Sequence, residues 1–465
     1  MVGEQLDFHI SSNSDSVSID AFRIDSDKQN TVIKEGLQVD TYPAPGQHTW
    51  RSDYEWPVAF SYTVPYEWEP GFYQFRIKSE QDHNLVSIFH IAIQPQTLGS
   101  HSNIAVLTND TTNVAYNSEG GKSNYKSFLP DDPKRANVLA FNRPGNYEYH
   151  RRDKQFPIWA DKIGMPVEYI TGLDLHFNTN ILDAYDILVL SGHSEYWSRK
   201  MRRQLERFLA NGGKLISLSG NTMWWAIRLI ETGEGVIMSS CKGWMNDPKC
   251  SDEPRKTTQL WKDIEPEMKV LGASFDYGGY VDSHGYYLQE DGFGGYFIHD
   301  ELSWFWAGTG ASKGDQVGQA ESIAGYEADS PPLISTGDGL AIDTSAPNVP
   351  GGIKLIATTP AGKTNDNGET IQGHGAIVHF PYGDEGGEVF NCGSTDCANK
   401  LGEDPVWHKA MLNLFTQFGA THTHHYDADG DSVRDCDDNC VNIFNRQQND
   451  ADGDGTGDTC DSHCH

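Results

Sequence analysis

The sequence predicts a multidomain protein with an N-terminal β-sandwich, a central open α/β sheet and an irregular acidic C-terminal segment. Its 465 residues are too many for one compact core. Apolar and polar residues alternate in short segments over 1–97, whereas strand-like and helix-like patterns alternate over 98–420. Residues 426–465 have almost no apolar content, so this segment needs something other than a hydrophobic core to fold.

Short alternating segments characterise residues 1–97. In 17–24 and 72–77, apolar side chains occupy every second position, which is the period of a half-buried strand. Residues 69–71 have the Pro-Gly sequence of a turn. Short strands separated by such turns predict a β-sandwich.

Buried strands and a helix alternate in residues 98–420. Apolar runs at 103–107, 187–190 and 214–218 predict strands. Between the last two, Ser198 can cap a helix whose apolar face includes 201, 205, 208 and 209. Strand–helix–strand alternation predicts an open parallel sheet with helices on both faces. Residues 240–385 are rich in glycine and aromatic residues and predict long loops with a few strands.

Charge excludes two classes of partner. The chain carries 35 Lys and Arg against 66 Asp and Glu, a formal net charge of −31. Nucleic acids and anionic membrane surfaces attract basic patches, so we expect neither as a partner. No apolar stretch reaches the length of about 18 residues that a membrane-spanning helix needs.

The eight cysteines form close sequence pairs, which predict disulfides. They are Cys241/Cys250, Cys392/Cys397, Cys436/Cys440 and Cys460/Cys464. Disulfides persist in oxidising compartments, so we expect an extracellular or cell-surface protein. Residues 1–5 lack the features of an export signal, and we therefore expect a trimmed chain from which that signal has been removed.

An acidic repeat dominates the C-terminal segment. Residues 427–435 are echoed at 450–458, with aspartates at alternate positions and glycine between them. Glycine permits the sharp backbone path that lets several carboxylates converge on one ion. Zinc on the last four cysteines is the alternative, but aspartate oxygens suit calcium better. The expected calcium ligands are Asp427, Asp429, Asp431, Asp435, Asp438, Asp450, Asp452, Asp454, Asp458 and Asp461.

The pattern Asp-x-Asp-Gly-Asp-x-Val-x-Asp-x-x-Asp-Asn-Cys at 427–440, with its partner at 450–461, resembles the thrombospondin type 3 repeat. This resemblance implies a calcium-binding module with almost no helix or strand. We expect a bridge between Cys440 and Cys460. Cys436 would then pair with Cys464 or with a residue beyond this chain.

Polar side chains follow two neighbouring strands of the predicted sheet. The strand 187–190 runs into His193, Glu195 and Tyr196, and the strand 214–218 is followed by Asn221. Open α/β sheets bind ligands at the carboxyl ends of their strands, so we expect these four side chains to line one crevice. A third contribution is expected from 389–396, where a strand enters a polar turn. The alternatives are a packing role for Tyr196 and a hydrogen-bonded loop role for His193.

Several stretches resemble the large-subunit domain of N,N-dimethylformamidase and its relatives. They include 115–117, 120–123, 192–198, 220–221, 257–261 and 325–327, and the resemblance covers about 5–420. It implies a glutamine-amidotransferase-like or flavodoxin-like sheet. It also implies an amide hydrolase with a mononuclear iron held by two tyrosines and a glutamate.

Only some of the iron ligands that the resemblance implies have matching residues in this chain. Tyr196 matches the expected position of one tyrosine, and Tyr116 and Tyr149 are candidates for the second. The glutamate is expected in 255–258, where this chain has Arg-Lys-Thr-Thr. Either the iron site is lost, or another carboxylate such as Glu195 or Glu327 replaces that ligand.

Two functions from different classes follow. The first is a secreted hydrolase of a C–N bond that uses His193, Glu195, Tyr196 and Asn221, with Glu195 or His193 as general base if no metal is bound. The second is a non-catalytic extracellular protein that binds a small amide, peptide or carbohydrate or mediates adhesion. Ser194 lacks the second glycine of a nucleophile elbow, and neither turn contains the cysteine of glutamine amidotransferases.

Overall fold

The structure is a computed structural model that describes most of the chain. The described residues are 1–24, 30–41, 49–52, 56–144, 153–233, 235–240, 260–281, 294–300, 304–364, 369–399, 401–421, 433, 438–440, 443, 445–451 and 455–461. Within these ranges, no helix has the length and apolar character to cross a bilayer.

Two antiparallel sheets share one core in the N-terminal segment. Its strands are β1 (Gln5–His9), β2 (Ser16–Arg23), β3 (Asn30–Gln38), β4 (Val58–Thr63), β5 (Gly71–Ser79) and β6 (Leu85–Ile93). One sheet has the order β3-β2-β5-β6, and the other pairs β1 with β4. Phe8 of β1 packs with Val17, Ile19 and Phe75 of the larger sheet. The alternation along β2 and β5 therefore buries one side of each strand, as the period of two requires.

The remaining described strands build a large sheet and two smaller ones. They are β7 (Ile104–Leu107), β8 (Val138–Ala140), β9 (Glu168–Ile170), β10 (Ile187–Gly192), β11 (Tyr196–Ser198), β12 (Lys214–Ser219), β13 (Trp225–Thr232), β14 (Gly235–Ser239), β15 (Ser274–Tyr280), β16 (Tyr296–Ile298), β17 (Gln316–Val317), β18 (Glu327–Ser330), β19 (Leu333–Thr336), β20 (Gly339–Ile342), β21 (Lys354–Thr364), β22 (Thr370–Tyr382) and β23 (Gly387–Asn391). The α-helices are α1 (Asp110–Tyr116), α2 (Gln155–Lys162), α3 (Gly172–Phe177), α4 (Arg199–Ala210), α5 (Trp261–Ile264), α6 (Met268–Leu271) and α7 (Pro405–Gln417).

Half of the large sheet is parallel. Its neighbouring strands β23, β12, β10, β7 and β9 pair in parallel, with Val189 of β10 between Ile216 of β12 and Val106 of β7. Counted along the chain, these five strands have the spatial order 2-1-3-4-5. The order reverses between β7 and β10, which is the place where doubly wound sheets leave a crevice at their carboxyl edge.

Helices cover both faces of the parallel strands. Leu188 and Leu215 pack with Leu205 of α4 on one face, whereas Val189 packs with Trp159 of α2 on the other. Helix α4 begins where the sequence predicts, because the Ser198 hydroxyl accepts the backbone N–H of Met201 at 3.2 Å. Near-continuous apolar strands such as β10 and β12 are buried on both faces, which explains their composition.

The expectation of a fully parallel sheet is wrong for the other half. Strands β21 and β22 pair in antiparallel register over their length, and β22 pairs antiparallel with β23. The described chain is mostly β-sheet with few helices. The described part of 240–385 therefore includes two long strands, β21 and β22, beside its turns. Their glycine and threonine content hides the strand period, and antiparallel neighbours need no crossover helix that a pattern could reveal.

Two of the predicted disulfides lie within the described residues. Cys392 and Cys397 form a disulfide with 6.4 Å between their Cα atoms, and Cys440 and Cys460 form one with 5.7 Å. The described tail contains turns and bends, with no helix or strand in that part. The remaining predicted pairings, Cys241 with Cys250 and Cys436 with Cys464, lie outside the described residues.

Candidate functional site

The turn after β10 carries two buried ionisable side chains. Gly192 ends the strand with φ +83°, a backbone conformation that favours glycine, and a Cβ there would require the Asp153 side chain to move. The chain then places His193 and Glu195 almost completely out of solvent, at 6% and 3% exposure. The backbone N–H of Glu195 donates to Oγ1 of Thr112 at 3.1 Å, which fixes the turn against α1.

Two tyrosine hydroxyls converge on the Glu195 carboxylate. Tyr125 donates to Oε2 at 2.9 Å and to Oε1 at 3.1 Å, and Tyr116 donates to Oε2 at 3.1 Å. The two rings stack with their centroids 4.1 Å apart. Tyr116 is 37% exposed, so the cluster reaches solvent at this ring. We call Tyr116, Tyr125 and Glu195 the tyrosine–glutamate cluster.

Burial and charge keep these phenols protonated. Burial raises the pKa of Tyr125 and Tyr196 well above the usual value, and the nearby Glu195 carboxylate raises each pKa further. A cation among these oxygens would act in the opposite direction, because it favours the anionic form of each ligand.

Tyr196 lies behind Tyr125. Its side chain is fully buried, and its hydroxyl donates to the Tyr125 hydroxyl at 2.7 Å. Its backbone carbonyl accepts the hydroxyl of Thr111 at 2.8 Å. The structure thus brings Tyr196 to the site as the partner of Tyr125, while Tyr116 and Tyr125 are the tyrosines that contact Glu195. Tyr149 and residues 255–258 lie outside the described residues.

Tyr125 is not among the site residues predicted from the sequence, although a glycine pair before it indicates a chain reversal. It follows Tyr116 by nine residues, across Gly120 and Gly121, whose φ angles are +80° and +93°. Left-handed backbone at two successive glycines reverses the chain. The reversal returns Tyr125 onto the ring of Tyr116.

His193 connects this cluster to a second carboxylate. Its Nε2 lies 2.9 Å from Oε2 of Glu327 and 3.5 Å from Oε2 of Glu195. All three side chains are nearly buried. The Nε2 atom of the imidazole therefore lies within ion-pair distance of both carboxylates.

The end of β23 positions Glu327. The backbone N–H of Thr395 donates to the carbonyl of Glu327 at 3.0 Å, and the Ser394 hydroxyl donates to the carbonyl of Gly325 at 2.9 Å. Gly220, after β12, packs so closely on the Glu327 carbonyl that a Cβ would collide with it. The predicted third contribution from 389–396 therefore holds the backbone of 325–327, which carries Glu327.

Asn221 is held in place by a buried carboxylate. Asp329 accepts the backbone N–H of Asn221 at 2.9 Å and that of Thr222 at 3.1 Å. Burial raises the pKa of Asp329 to about 7. Asn221 has φ +49° and Tyr326, beside Glu327, has φ +51°. Non-glycine residues rarely adopt this conformation, and they are concentrated at functional sites.

The tyrosine–glutamate cluster offers the kind of donor atoms that a hard cation requires. Two phenol oxygens and one carboxylate are hard donors, which suit a hard cation, and they already converge within hydrogen-bonding distance of one another. Among the described residues, no group of three His, Cys, Asp or Glu side chains is arranged as metal ligands. The cluster is a different kind of donor set, because two of its three members are tyrosines.

The described aspartates of the tail accept hydrogen bonds from neighbouring groups. Oδ1 of Asp438 accepts the backbone N–H of Cys440 at 2.8 Å and the Gln448 amide at 2.7 Å. Asp450 accepts the backbone N–H of Gly455 at 2.9 Å, and Asp458 accepts that of Ala451 at 2.7 Å. Asp427, Asp429, Asp431, Asp435, Asp452 and Asp454 lie outside the described residues.

Comparison with known proteins identifies the family. The family model described as N,N-dimethylformamidase beta subunit-like, C-terminal matches residues 18–409. A search of curated protein sequences finds no match. The matched region includes the tyrosine–glutamate cluster, His193, Glu327 and the whole parallel half of the sheet. The chain belongs to the N,N-dimethylformamidase beta subunit-like family.

Proposed function

We propose that this protein is a hydrolase that cleaves the C–N bond of an amide at the tyrosine–glutamate cluster. The observation that carries the proposal is the convergence of Tyr116 and Tyr125 on Glu195, with the His193–Glu327 pair directly beside it. Family membership supports an amidase-type reaction. The four catalytic residues expected from sequence, His193, Glu195, Tyr196 and Asn221, are extended by Tyr116, Tyr125 and Glu327.

We propose that iron is the metal of this site. Tyr116, Tyr125 and Glu195 would hold it, and Tyr196 would support Tyr125 from behind. When bound, the ion would supply Lewis-acid polarisation of the amide carbonyl. The lack of a glutamate in Arg-Lys-Thr-Thr at 255–258 then does not argue against an iron site, because Glu195 supplies the carboxylate.

The His193–Glu327 pair moves the proton of hydrolysis. We assign a proton to Nε2 of His193 because this atom lies within ion-pair distance of the carboxylate oxygens of both glutamates. The pair accepts one proton from the water that attacks the carbonyl carbon. It returns that proton to the nitrogen as the C–N bond breaks, so an amide and water give a carboxylic acid and an amine.

The test is amine release from small N-alkyl formamides and acetamides by iron-loaded protein. The proposal predicts turnover that rises with iron content and is lost in Glu195→Gln. Full iron loading without amine release from any of these amides would contradict it. That outcome would favour the second candidate, a non-catalytic protein that binds a small ligand.

We further propose that the tail is a calcium-binding module of the thrombospondin type 3 kind in a secreted or cell-surface protein. The repeat of aspartates, the Cys440–Cys460 disulfide and the turn-only backbone of the described part support it. Two disulfides within the described residues support an oxidising compartment. Calorimetry without saturable calcium binding at millimolar concentrations would contradict the calcium proposal.

A further inference from the structure

A disulfide closes the turn that follows β23. Cys392 and Cys397 are both fully buried, and their Cα atoms lie 6.4 Å apart. Ser394 and Thr395 lie between the two cysteines, beyond the end of β23. The disulfide therefore fixes a segment that the strands of the large sheet do not include. We call residues 392–397 the bridged turn.

The bridged turn holds the backbone of the segment that carries Glu327. Every second N–H group of residues 325–329 donates to this turn, as along the edge of a strand. The pairs are Gly325 with Oγ of Ser394 at 2.9 Å, Glu327 with Oγ1 of Thr395 at 3.4 Å, and Asp329 with the carbonyl of Gly393 at 3.0 Å. On the other side, Glu327 pairs with Tyr280 of β15. The backbone of this glutamate is therefore held between a strand and the bridged turn.

Both ends of the bridged turn are anchored in the core. The carbonyl of Cys392 accepts the hydroxyl of Tyr296 at 2.8 Å, and the carbonyl of Cys397 accepts the indole N–H of Trp407 at 3.0 Å. The rings of Tyr296 and Trp407 are fully buried and stack with their centroids 6.1 Å apart. The disulfide joins these two anchored ends, so the part of the turn that contacts 325–329 has few conformations open to it.

The position of Glu327 matters for proton transfer. Its Oε2 lies 2.9 Å from Nε2 of His193, and misplacement of a reacting group by about 1 Å costs about 10²-fold in rate. We propose that Cys392 and Cys397 are positioning residues, whose disulfide keeps Glu327 at this distance from His193 through the bridged turn. The effect on rate rests on the proposed function, in which the His193–Glu327 pair transfers a proton.

The first test removes the disulfide. In the double variant Cys392→Ala/Cys397→Ala, kcat for N-methylformamide should fall by about 10–100-fold, while KM and iron content stay at their wild-type values. A disulfide that only stabilised the fold would leave kcat of the folded protein unchanged. Cys440→Ala/Cys460→Ala is the matched control, because it removes the disulfide of the tail, and it should keep wild-type kcat. Wild-type kcat in the folded first variant, or a parallel loss of iron, would overturn the proposal.

A second variant keeps the disulfide and cuts its connection to Glu327. Thr395→Val preserves the shape of the side chain but removes the hydroxyl that accepts the N–H of Glu327 and donates to the carbonyl of Gly325 at 3.0 Å. It should lower kcat with KM unchanged, and it tests the proposal even if the double variant does not fold. Wild-type kcat in Thr395→Val would contradict positioning through the bridged turn.

Hydrogen exchange separates this inference from the proposed function, because it needs no substrate. The N–H groups that donate to the bridged turn should exchange faster across 325–329 in the Cys392→Ala/Cys397→Ala variant, whereas exchange across β10 should be unchanged. Mass spectrometry of peptides from both regions measures this. Faster exchange in a protein that releases no amine would contradict only the proposed function. Active protein whose double variant keeps wild-type exchange and kcat would contradict only this inference.

Discussion

The hydroxyl of Tyr125 donates to both carboxylate oxygens of Glu195, at 2.9 and 3.1 Å, and it accepts the hydroxyl of Tyr196 at 2.7 Å. This arrangement gives the two tyrosines different roles at Glu195. Tyr125 contacts the glutamate directly, whereas Tyr196 acts through Tyr125. Substitutions should separate these roles.

Tyr125→Phe removes a phenol oxygen from the cluster, whereas Tyr196→Phe removes only its support. We expect iron affinity to fall by more than about 100-fold in the first and by about 10–100-fold in the second. Competitive chelation of the iron-loaded proteins measures both. Tyr185→Phe is the control, because Tyr185 donates to a different buried glutamate, Glu168, at 2.7 Å. A larger loss in Tyr196→Phe than in Tyr125→Phe would reverse the assignment.

Glu327→Gln keeps the size of the side chain and removes its charge beside His193. We expect amide turnover to fall by about 10²–10⁴-fold, the range for loss of a positioned acid–base group. Iron content should be unchanged, since Glu327 lies outside the tyrosine–glutamate cluster. Parallel assays of turnover and bound iron test this. Wild-type turnover in the variant would remove the His193–Glu327 pair from the mechanism.

Asp329 should make stability depend on pH. Burial raises its pKa in the folded state to about 7, from an ordinary value of 3.8. The folded state therefore holds a proton that the unfolded state releases between these values. The stability that Asp329 contributes is present at the acidic end of this window and is lost as the pH rises through about 7.

Comparison with Asp329→Asn isolates this effect. The difference in unfolding free energy between wild type and variant should shrink from pH 5 to pH 7, by at most about 1.4 kcal/mol per pH unit. Urea unfolding at several pH values measures it. A difference that stays constant over this range would show that Asp329 does not titrate there.

Calcium removal should affect the tail alone. Repulsion among crowded carboxylates is relieved by the bound cation, so a chelator should make 426–465 sensitive to protease. Residues 1–420 should remain folded, because their cores consist of apolar side chains. Limited proteolysis with mass spectrometry, with and without chelator, compares the two regions. Cleavage that begins within 1–420 would contradict the separation.

The sequence predicts the parts of the site that depend on local pattern. β10 and β12 are apolar runs followed by polar turns, and these turns contain His193, Glu195 and Asn221. Tyr125 could not be identified this way, because its approach to Glu195 depends on a chain reversal and a contact across 70 residues. Strands β21 and β22 could not be predicted for another reason. Their many small residues do not show the apolar–polar alternation of a strand. Contacts between residues far apart in the sequence determine both the position of Tyr125 and the pairing of β21 with β22.

The most direct test of the account is the metal content of the purified protein, combined with its visible absorption spectrum. The tyrosine–glutamate cluster predicts about one iron per chain and a visible phenolate-to-iron charge-transfer band. This band should weaken or disappear in Tyr125→Phe and persist in Tyr196→Phe. Protein that contains calcium but takes up no iron, even when iron is supplied in excess, would contradict the central claim.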